Sequence, residues 1–277
     1  MPQDADWTTR EPDDEPPRID TSTAHAARVY DYLLGGKDNF RPDREAAEQL
    51  IKAVPSVPAT VRQNRLFLQR LTRYLAGQGI DQFLDIGTGI PTSPNVHEVA
   101  QRAVPEARIV YVDNDPIVLA HARALLTSSP QGRVAYLHAD LRDTAAVLTA
   151  PDLTATLDLT RPAALLMLST LHLVTDPAQA RALLDRYLAA LAPGSYLALS
   201  VSTADSYTAT AGSVLSSHGI PVLQRTRAEV TALFEGLELV DPGVVLVSQW
   251  RPDAETAPEA PEADAAVGLY CGVAVKR

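Results

Sequence analysis

The sequence predicts an α/β fold: a mostly parallel, seven-stranded sheet with helices on both faces, preceded by an all-helical segment. Three observations predict it. Short apolar runs alternate with amphipathic helical stretches from Phe83 to Val201, the pattern of parallel strands joined by right-handed crossovers. Before about residue 75 the apolar residues recur only at helical spacing. The last two apolar runs, Val244 to Val247 and Val267 to Val275, have no helical stretch between them. They are expected to pair antiparallel as a hairpin-like edge.

Taken in order, residues 1–18 are rich in Pro, Asp and Glu, with Trp7 the only large apolar group, and are expected to be a disordered tail. Ala24 to Leu34 carries Ala26, Val29, Tyr30, Leu33 and Leu34 at helical spacing and stops at Gly35-Gly36. Asp43 to Ala53 and Ala59 to Leu75 predict two more helices, separated by Pro55 and Pro58. Residues 19–75 thus form a helical cap, and 76–277 the sheet domain. Strands are predicted at Phe83–Ile86, Arg108–Val112, Val134–His138, Ala163–Leu168 and Tyr196–Val201. Helices start at Asn95 with Glu98, or at Ser93 with Pro94, then at Asp115-Pro116, Asp176-Pro177 and Thr226 with Glu229. Residues 251–264, rich in Pro, Ala and acids, are expected to form a mobile excursion within the final hairpin.

Composition narrows the function. The 277 residues are 46% hydrophobic but only 5% aromatic, so the core must be aliphatic. A net charge of −10 argues against a large nucleic-acid footprint. The single cysteine, Cys271, lies in an apolar run and is expected in the core, with no intramolecular disulfide possible. No Cys/His cluster has zinc spacing. Neither a signal peptide nor an apolar run long enough to span a membrane is evident, so the expectation is a cytoplasmic protein without a membrane partner. Nothing in the sequence sets the oligomeric state.

The chemistry centres on Asp85-Ile86-Gly87-Thr88-Gly89, which stands at the carboxyl end of the first strand, before a helix. Ligands of open α/β sheets bind at such ends, and glycines let the backbone turn tightly and a ligand approach without a Cβ. A lone Gly-x-Gly is also compatible with a plain tight turn. The second strand ends in Asp113, followed by Asn114. A carboxylate here can accept from both hydroxyls of a ribose, while Asp115 is better placed to cap the next helix. The third strand leads to Asp140 and Leu141. Asp140 could accept from an adenine amine and Leu141 could pack on the ring, although Asp143 could be the functional acid, or Asp140 a helix cap.

Strands ending in Asp85, Asp113 and Asp140 resemble the class I S-adenosylmethionine-dependent methyltransferases. That resemblance implies a Rossmann-like sheet whose last strand is antiparallel. It implies that the glycine turn holds the methionine part of the cofactor, the second acid the ribose and the third the adenine. Pro91 stands where such enzymes often have a third glycine. Two further segments resemble an actinobacterial S-adenosyl methyltransferase family long labelled as having unknown function: Ala27 to Phe40, with Asp43-Arg44-Glu45, and Val61-Arg62-Gln63-Asn64-Arg65-Leu66-Phe67-Leu68. Pro91 and Thr92 fit that family as they stand. The resemblance runs from about Thr23 to the C-terminus.

It implies S-adenosyl-L-methionine as cofactor and S-adenosyl-L-homocysteine as product, with a small-molecule acceptor that no motif identifies. The helix end carrying Tyr32, Gly36, Lys37 and Asn39 is suited to close over the cofactor. Lys37 or Arg65 could pair with the methionine carboxylate, and Tyr32 could pack on the adenosine or face the sulfonium. The alternative is a helix that only packs on the core, with Lys37 and Arg65 solvated. The resemblance also implies that the loop after the fourth strand, with Ser169, faces the methyl group and the acceptor; His172 in it could be a general base, or a structural histidine. Methyl transfer from a sulfonium is an in-line displacement that chiefly needs alignment, so no base is obligatory. Asp205, Tyr207 and His218 are further acceptor-side candidates, and the acceptor walls are expected from the N-terminal helices and Ser202 to Gln224. Two other readings stand beside this one. A nicotinamide-dependent oxidoreductase would use Gly87, Gly89 and Asp113, but Thr92 replaces its third glycine. A cofactor-binding regulator would need no catalytic group at all.

Overall fold

The computed structural model describes residues 19–125, 128–205, 209–253 and 267–277. The tail expected over 1–18, most of the excursion expected over 251–264, and Tyr207 lie outside the described residues.

The chain opens with three helices, α1 (Ala26–Leu33), α2 (Arg41–Ala53) and α3 (Val57–Gly77). Helix α1 stops because Gly35, at φ 86°, takes the left-handed conformation that lets Gly35 N–H and Gly36 N–H reach the carbonyls of Tyr32 and Asp31, both at 2.9 Å. Helix α2 starts where the Asp43 carboxylate accepts from Phe40 N–H at 2.8 Å; its other oxygen accepts from His25 N–H at 2.8 Å, tying α2 to the start of α1.

The sheet contains β1 (Gln82–Ile86), β2 (Arg108–Asp113), β3 (Arg133–His138), β4 (Ala164–Leu168), β5 (Tyr196–Ser202), β6 (Glu238–Leu239), β7 (Val245–Leu246) and β8 (Leu269–Val275). Their order is β3-β2-β1-β4-β5-β8-β6, with β7 also on β8. Strands β1 to β5 are parallel, and β8 runs antiparallel to β5, β6 and β7. The helices after β1 are α4 (Val96–Ala103), α5 (Pro116–Leu125), α6 (Thr144–Thr149), α7 (Pro151–Thr156), α8 (Pro177–Ala190), α9 (Ala209–Ser217) and α10 (Arg227–Ala232).

One detail corrects the sequence reading. The sheet has eight strands, because the two-residue β6 is too short to show any alternation. The expected hairpin-like edge is present: β7 pairs with β8, and β8 is fully paired on its inner side with β5, from Ser202↔Leu269 to Tyr196↔Val275.

Strands β1 and β4 are buried throughout, so apart from Gln82 and Asp85 of β1 they are apolar without alternation, and successive residues feed opposite faces. Leu84, Leu165 and Leu197 face one layer with Leu183, Leu184 and Tyr187 of α8. Phe83, Ile109 and Leu166 face the other, with Phe67, Leu71 and Leu75 of α3. Cys271 lies in this second layer and burial raises its thiol pKa, so it behaves as a small core residue. The few aromatics are concentrated there too: Trp250 meets Phe67 edge-on at 5.4 Å, and its carbonyl accepts from the buried Arg70 Nε at 2.9 Å. Helix α3 therefore covers the sheet, whereas α1, α2 and the start of α3 form a separate apolar cluster with α9. Because Leu71 is wholly buried between α3 and the sheet, Leu71→Ala is expected to lose about 2–5 kcal/mol in urea denaturation.

Candidate functional site

The strand order reverses between β1 and β4, which are joined to β2 and β5 on opposite sides. A crevice forms at the carboxyl ends of strands at such a reversal. Here it is a cavity of about 330 Å³ between the sheet ends, α1 and the loops after β1, β2, β3 and β4.

The glycine turn forms its floor. Gly87 N–H donates to the Val112 carbonyl at 2.7 Å, and Gly87 and Gly89 sit at φ 73° and 69°. A Cβ on Gly87 would lie 2.4 Å from Thr170 Cγ2, whereas one on Gly89 would point into open space. Gly87 is thus demanded by the fold, and Gly89 leaves clear the space that a ligand would take. Asp113 braces the turn: its carboxylate accepts from Gly89 N–H at 2.8 Å and from Asp115 N–H at 2.9 Å. Asp85 is buried beneath, with Thr88 Oγ1 donating to it at 3.1 Å. Burial pushes the Asp85 carboxyl up to about 7, although the Thr88 hydrogen bond and the Arg65 charge act in the opposite sense. Burial also raises Asp113, against its two backbone hydrogen bonds.

The cavity brings together Asp85, Gly87, Thr88 and Gly89 with Asp113 and Asn114, and adds Leu141, Ser169 and Arg65 from other parts of the chain. The Arg65 guanidinium lines the cavity but donates through Nη2 to the carbonyls of Thr92 and Pro94, so it fixes the loop after the glycine turn.

Other predicted residues are placed elsewhere. Asp140 does not line the cavity: its carboxylate accepts from Arg142 N–H at 2.8 Å and pairs with the Arg142 guanidinium at 3.1 Å, so Arg142 presents to the cavity instead. Tyr32 points outward, with its hydroxyl on Glu48 at 3.1 Å. Two helical residues apart means about 200° around the axis, and it is Tyr30 that lines the cavity. Lys37 is exposed past the helix end and outside the cavity wall. Asp205 is exposed and accepts from Arg227 N–H at 2.7 Å, while His218, just past the end of α9, contacts the Val214 carbonyl through Nδ1 at 3.0 Å. His172 belongs to a neighbouring chamber, described below.

Sequence reasoning missed two clusters. His25 and Arg28 from α1 converge on Asp115: Arg28 Nε lies 2.7 Å and His25 Nδ1 3.1 Å from the same carboxylate oxygen. The other Asp115 oxygen accepts from Ile117 N–H at 3.1 Å and caps α5. Burial disfavours charge on both His25 and Asp115, yet their mutual attraction prevails, raising His25 and holding Asp115 down at about 2. The second cluster is Asn64, whose Nδ2 donates to Tyr30 Oη and to Ser169 Oγ, each at 3.0 Å. Its Oδ1 is buried without a partner. Ser169 is held at φ 56°, a strained position for a non-glycine residue. No group of His, Cys, Asp or Glu among the described residues could hold a metal ion.

A family model described as S-adenosyl methyltransferase matches residues 12–277. The chain belongs to this family. Among solved structures, this methyltransferase is similar to a DUF574 family protein from Streptomyces avermitilis MA-4680, with 48% identity and a TM-score of 0.89, covering 94% of this chain and all of the other. It is also similar to a candidate methyltransferase from Thermobifida fusca YX, with 39% identity and a TM-score of 0.86, covering 99% of this chain and all of the other. A search of curated proteins returns no match.

The site of this S-adenosyl methyltransferase fits its cofactor, S-adenosylmethionine. That molecule carries an ammonium, two ribose hydroxyls and an adenine amine, all donors. The cavity offers the carboxylates of Asp85 and Asp113 and the unpartnered Asn64 Oδ1, with Ile90, Val112 and Leu141 as apolar wall.

Proposed function

We propose that this enzyme methylates a small, uncharged molecule, with S-adenosylmethionine seated on the glycine turn. The observation that carries the reading is the joint presence, at the reversal of strand order, of Asp85 and Asp113 around an open cradle at Gly89. Asp113 is assigned the ribose, Leu141 and Ile90 the faces of the adenine, and Asp85 the ammonium of the methionine part. The cofactor supplies a methyl group already activated on sulfur. The residues have only to orient it, exclude water and receive the acceptor's proton. The acceptor side is closed by α1 and by the turn after α9, where Gly219, Ile220 and Pro221 reach the cavity. This enclosure and the net charge of −10 favour a small molecule over a nucleic acid.

Calorimetric titration with S-adenosylhomocysteine tests the reading. Folded protein is expected to bind it, and Asp113→Ala to bind about 10- to 100-fold more weakly, as for loss of a charged hydrogen-bond acceptor. An absence of heat with folded wild-type protein would sink the proposal. A mass-spectrometric search for methylated products among small molecules of a cell extract then tests the acceptor class.

A further inference from the structure

Beside the cofactor cavity lies a second chamber of about 110 Å³, formed by α1, α2, the start of α3, α9 and the turn at Leu171–Leu173. The two share a wall: Ala26, Tyr30, Ser169, Leu173 and Ile220 line both. Its polar part is the Asn64 cluster, in which one amide holds the Tyr30 and Ser169 hydroxyls. The chamber is apolar, with Leu33, Leu50, Val61, Leu215, Ile220 and Val222 among its walls, and no ionised side chain lines it among the described residues. Its polar lining groups are largely committed. Tyr30 Oη donates to the Val61 carbonyl, and Thr60 Oγ1 accepts from Gly268 N–H. His172 differs: its Nδ1 is buried and has no hydrogen-bond partner.

We propose that this chamber is the acceptor site, and that it takes a neutral single-ring group whose hydroxyl donates to His172 Nδ1. The inference rests on the methyl-transfer reading above. Size limits the occupant: an apolar cavity of about 150 Å³ admits benzene, so this one, at about 110 Å³, takes at most a single ring. Among the described residues no carboxylate lines it to hold an ammonium, and no cation to hold a carboxylate or phosphate. Burial, with the Arg225 charge adding to it, depresses His172 to about 4. The imidazole is therefore neutral, with a lone pair to offer. So weak a base takes the proton only as the oxygen–carbon bond forms and the hydroxyl becomes strongly acidic. In the transfer, the oxygen–carbon bond forms as the sulfur–carbon bond breaks. Sulfur keeps that electron pair, leaving a neutral thioether, and the hydroxyl proton passes to His172 Nδ1.

The test uses phenol, benzene and benzoate as probes, read by NMR on full-length protein saturated with S-adenosylhomocysteine. Phenol is expected to shift the methyl signals of Leu215 and Leu50, which line this chamber alone, saturably, and benzoate to leave them unmoved. In wild-type protein the His172 Nδ1 resonance should move with phenol and not with benzene. His172→Phe should weaken phenol about threefold to tenfold, the worth of one hydrogen bond, and Leu215→Trp should abolish its binding by filling the chamber. If phenol fails to bind while S-adenosylhomocysteine binds, or if the His172 nitrogen stays still, the chamber assignment falls and the methyl-transfer reading survives. If S-adenosylhomocysteine itself does not bind, the underlying reading falls first.

Discussion

Asp115→Ala is expected to be among the most destabilising single substitutions in this protein, at about 3–5 kcal/mol, because it leaves a buried guanidinium without its partner. Arg28 is 4% exposed and its Nε lies 2.7 Å from the Asp115 carboxylate; the nearest other acid, Asp43, is 3.8 Å from Nη1. The same substitution removes the cap of α5 and the partner of His25. A fall in thermal midpoint of roughly 6–20 °C follows from the usual scaling. A double variant, Arg28→Met with Asp115→Leu, should recover much of the loss, since it deletes both charges together. A loss below about 0.5 kcal/mol for Asp115→Ala would show that α1 is held by its apolar contacts alone.

The pH dependence of this cluster has two limits of opposite sign. Asp115 has a folded-state pKa of about 2, below its ordinary 3.8. Its contribution is complete above about pH 4 and is lost as the pH falls towards 2. His25 is raised above its ordinary 6.5. Its contribution is complete below that value and is lost as the pH rises through the raised one. Docking of α1 should therefore be strongest between about pH 4 and 6.5, which hydrogen exchange of α1 amides across that range would show.

A second large effect is expected at Asp85, whose pKa of about 7 makes cofactor binding a proton-coupled event. Only the ionised form attracts the ammonium assigned to it. Affinity for S-adenosylhomocysteine should rise about tenfold from pH 6 to pH 8 and level off above that. Asp85→Asn should bind more weakly at pH 8 and show no such slope. The unliganded enzyme should behave in the opposite way. A carboxylate raised from 3.8 to about 7 destabilises the folded state as pH rises between those values, by up to about 4 kcal/mol. Asp85→Asn should therefore stabilise the free protein at pH 8. A flat wild-type affinity profile would place the ammonium away from Asp85.

The sheet was legible because it is written in local pattern: each of the five parallel strands is an apolar run bounded by turn residues. The floor of the site was legible for the same reason, since Asp85, Gly87, Gly89 and Asp113 stand at strand ends whatever the loops do. What escaped was set by orientation or by distance along the chain. Tyr32 and Tyr30 are chemically equivalent in the sequence, and only the docking of α1 decides which faces the cavity. Asp140 ends a strand like the other two acids, but Arg142 claims it through a local contact that no periodicity announces. Asp115 was read as a cap and is one, yet its ion pair with Arg28 spans 87 residues. In Val61–Leu68 the charged Arg65 is the conspicuous side chain, whereas the uncharged Asn64 holds the wall between the two chambers.

Strand β8 has a consequence for how the molecule comes into being. Strand β5 ends at Ser202, and the segment that covers its open side begins only at Leu269. While a ribosome adds those intervening residues, at about 5–20 per second, β5 spends several seconds as a bare edge able to pair with another nascent chain. The short β6 and β7 cannot shield it, because both pair to β8. Nascent-chain crowding is therefore expected to lower its yield in an overexpressing cell.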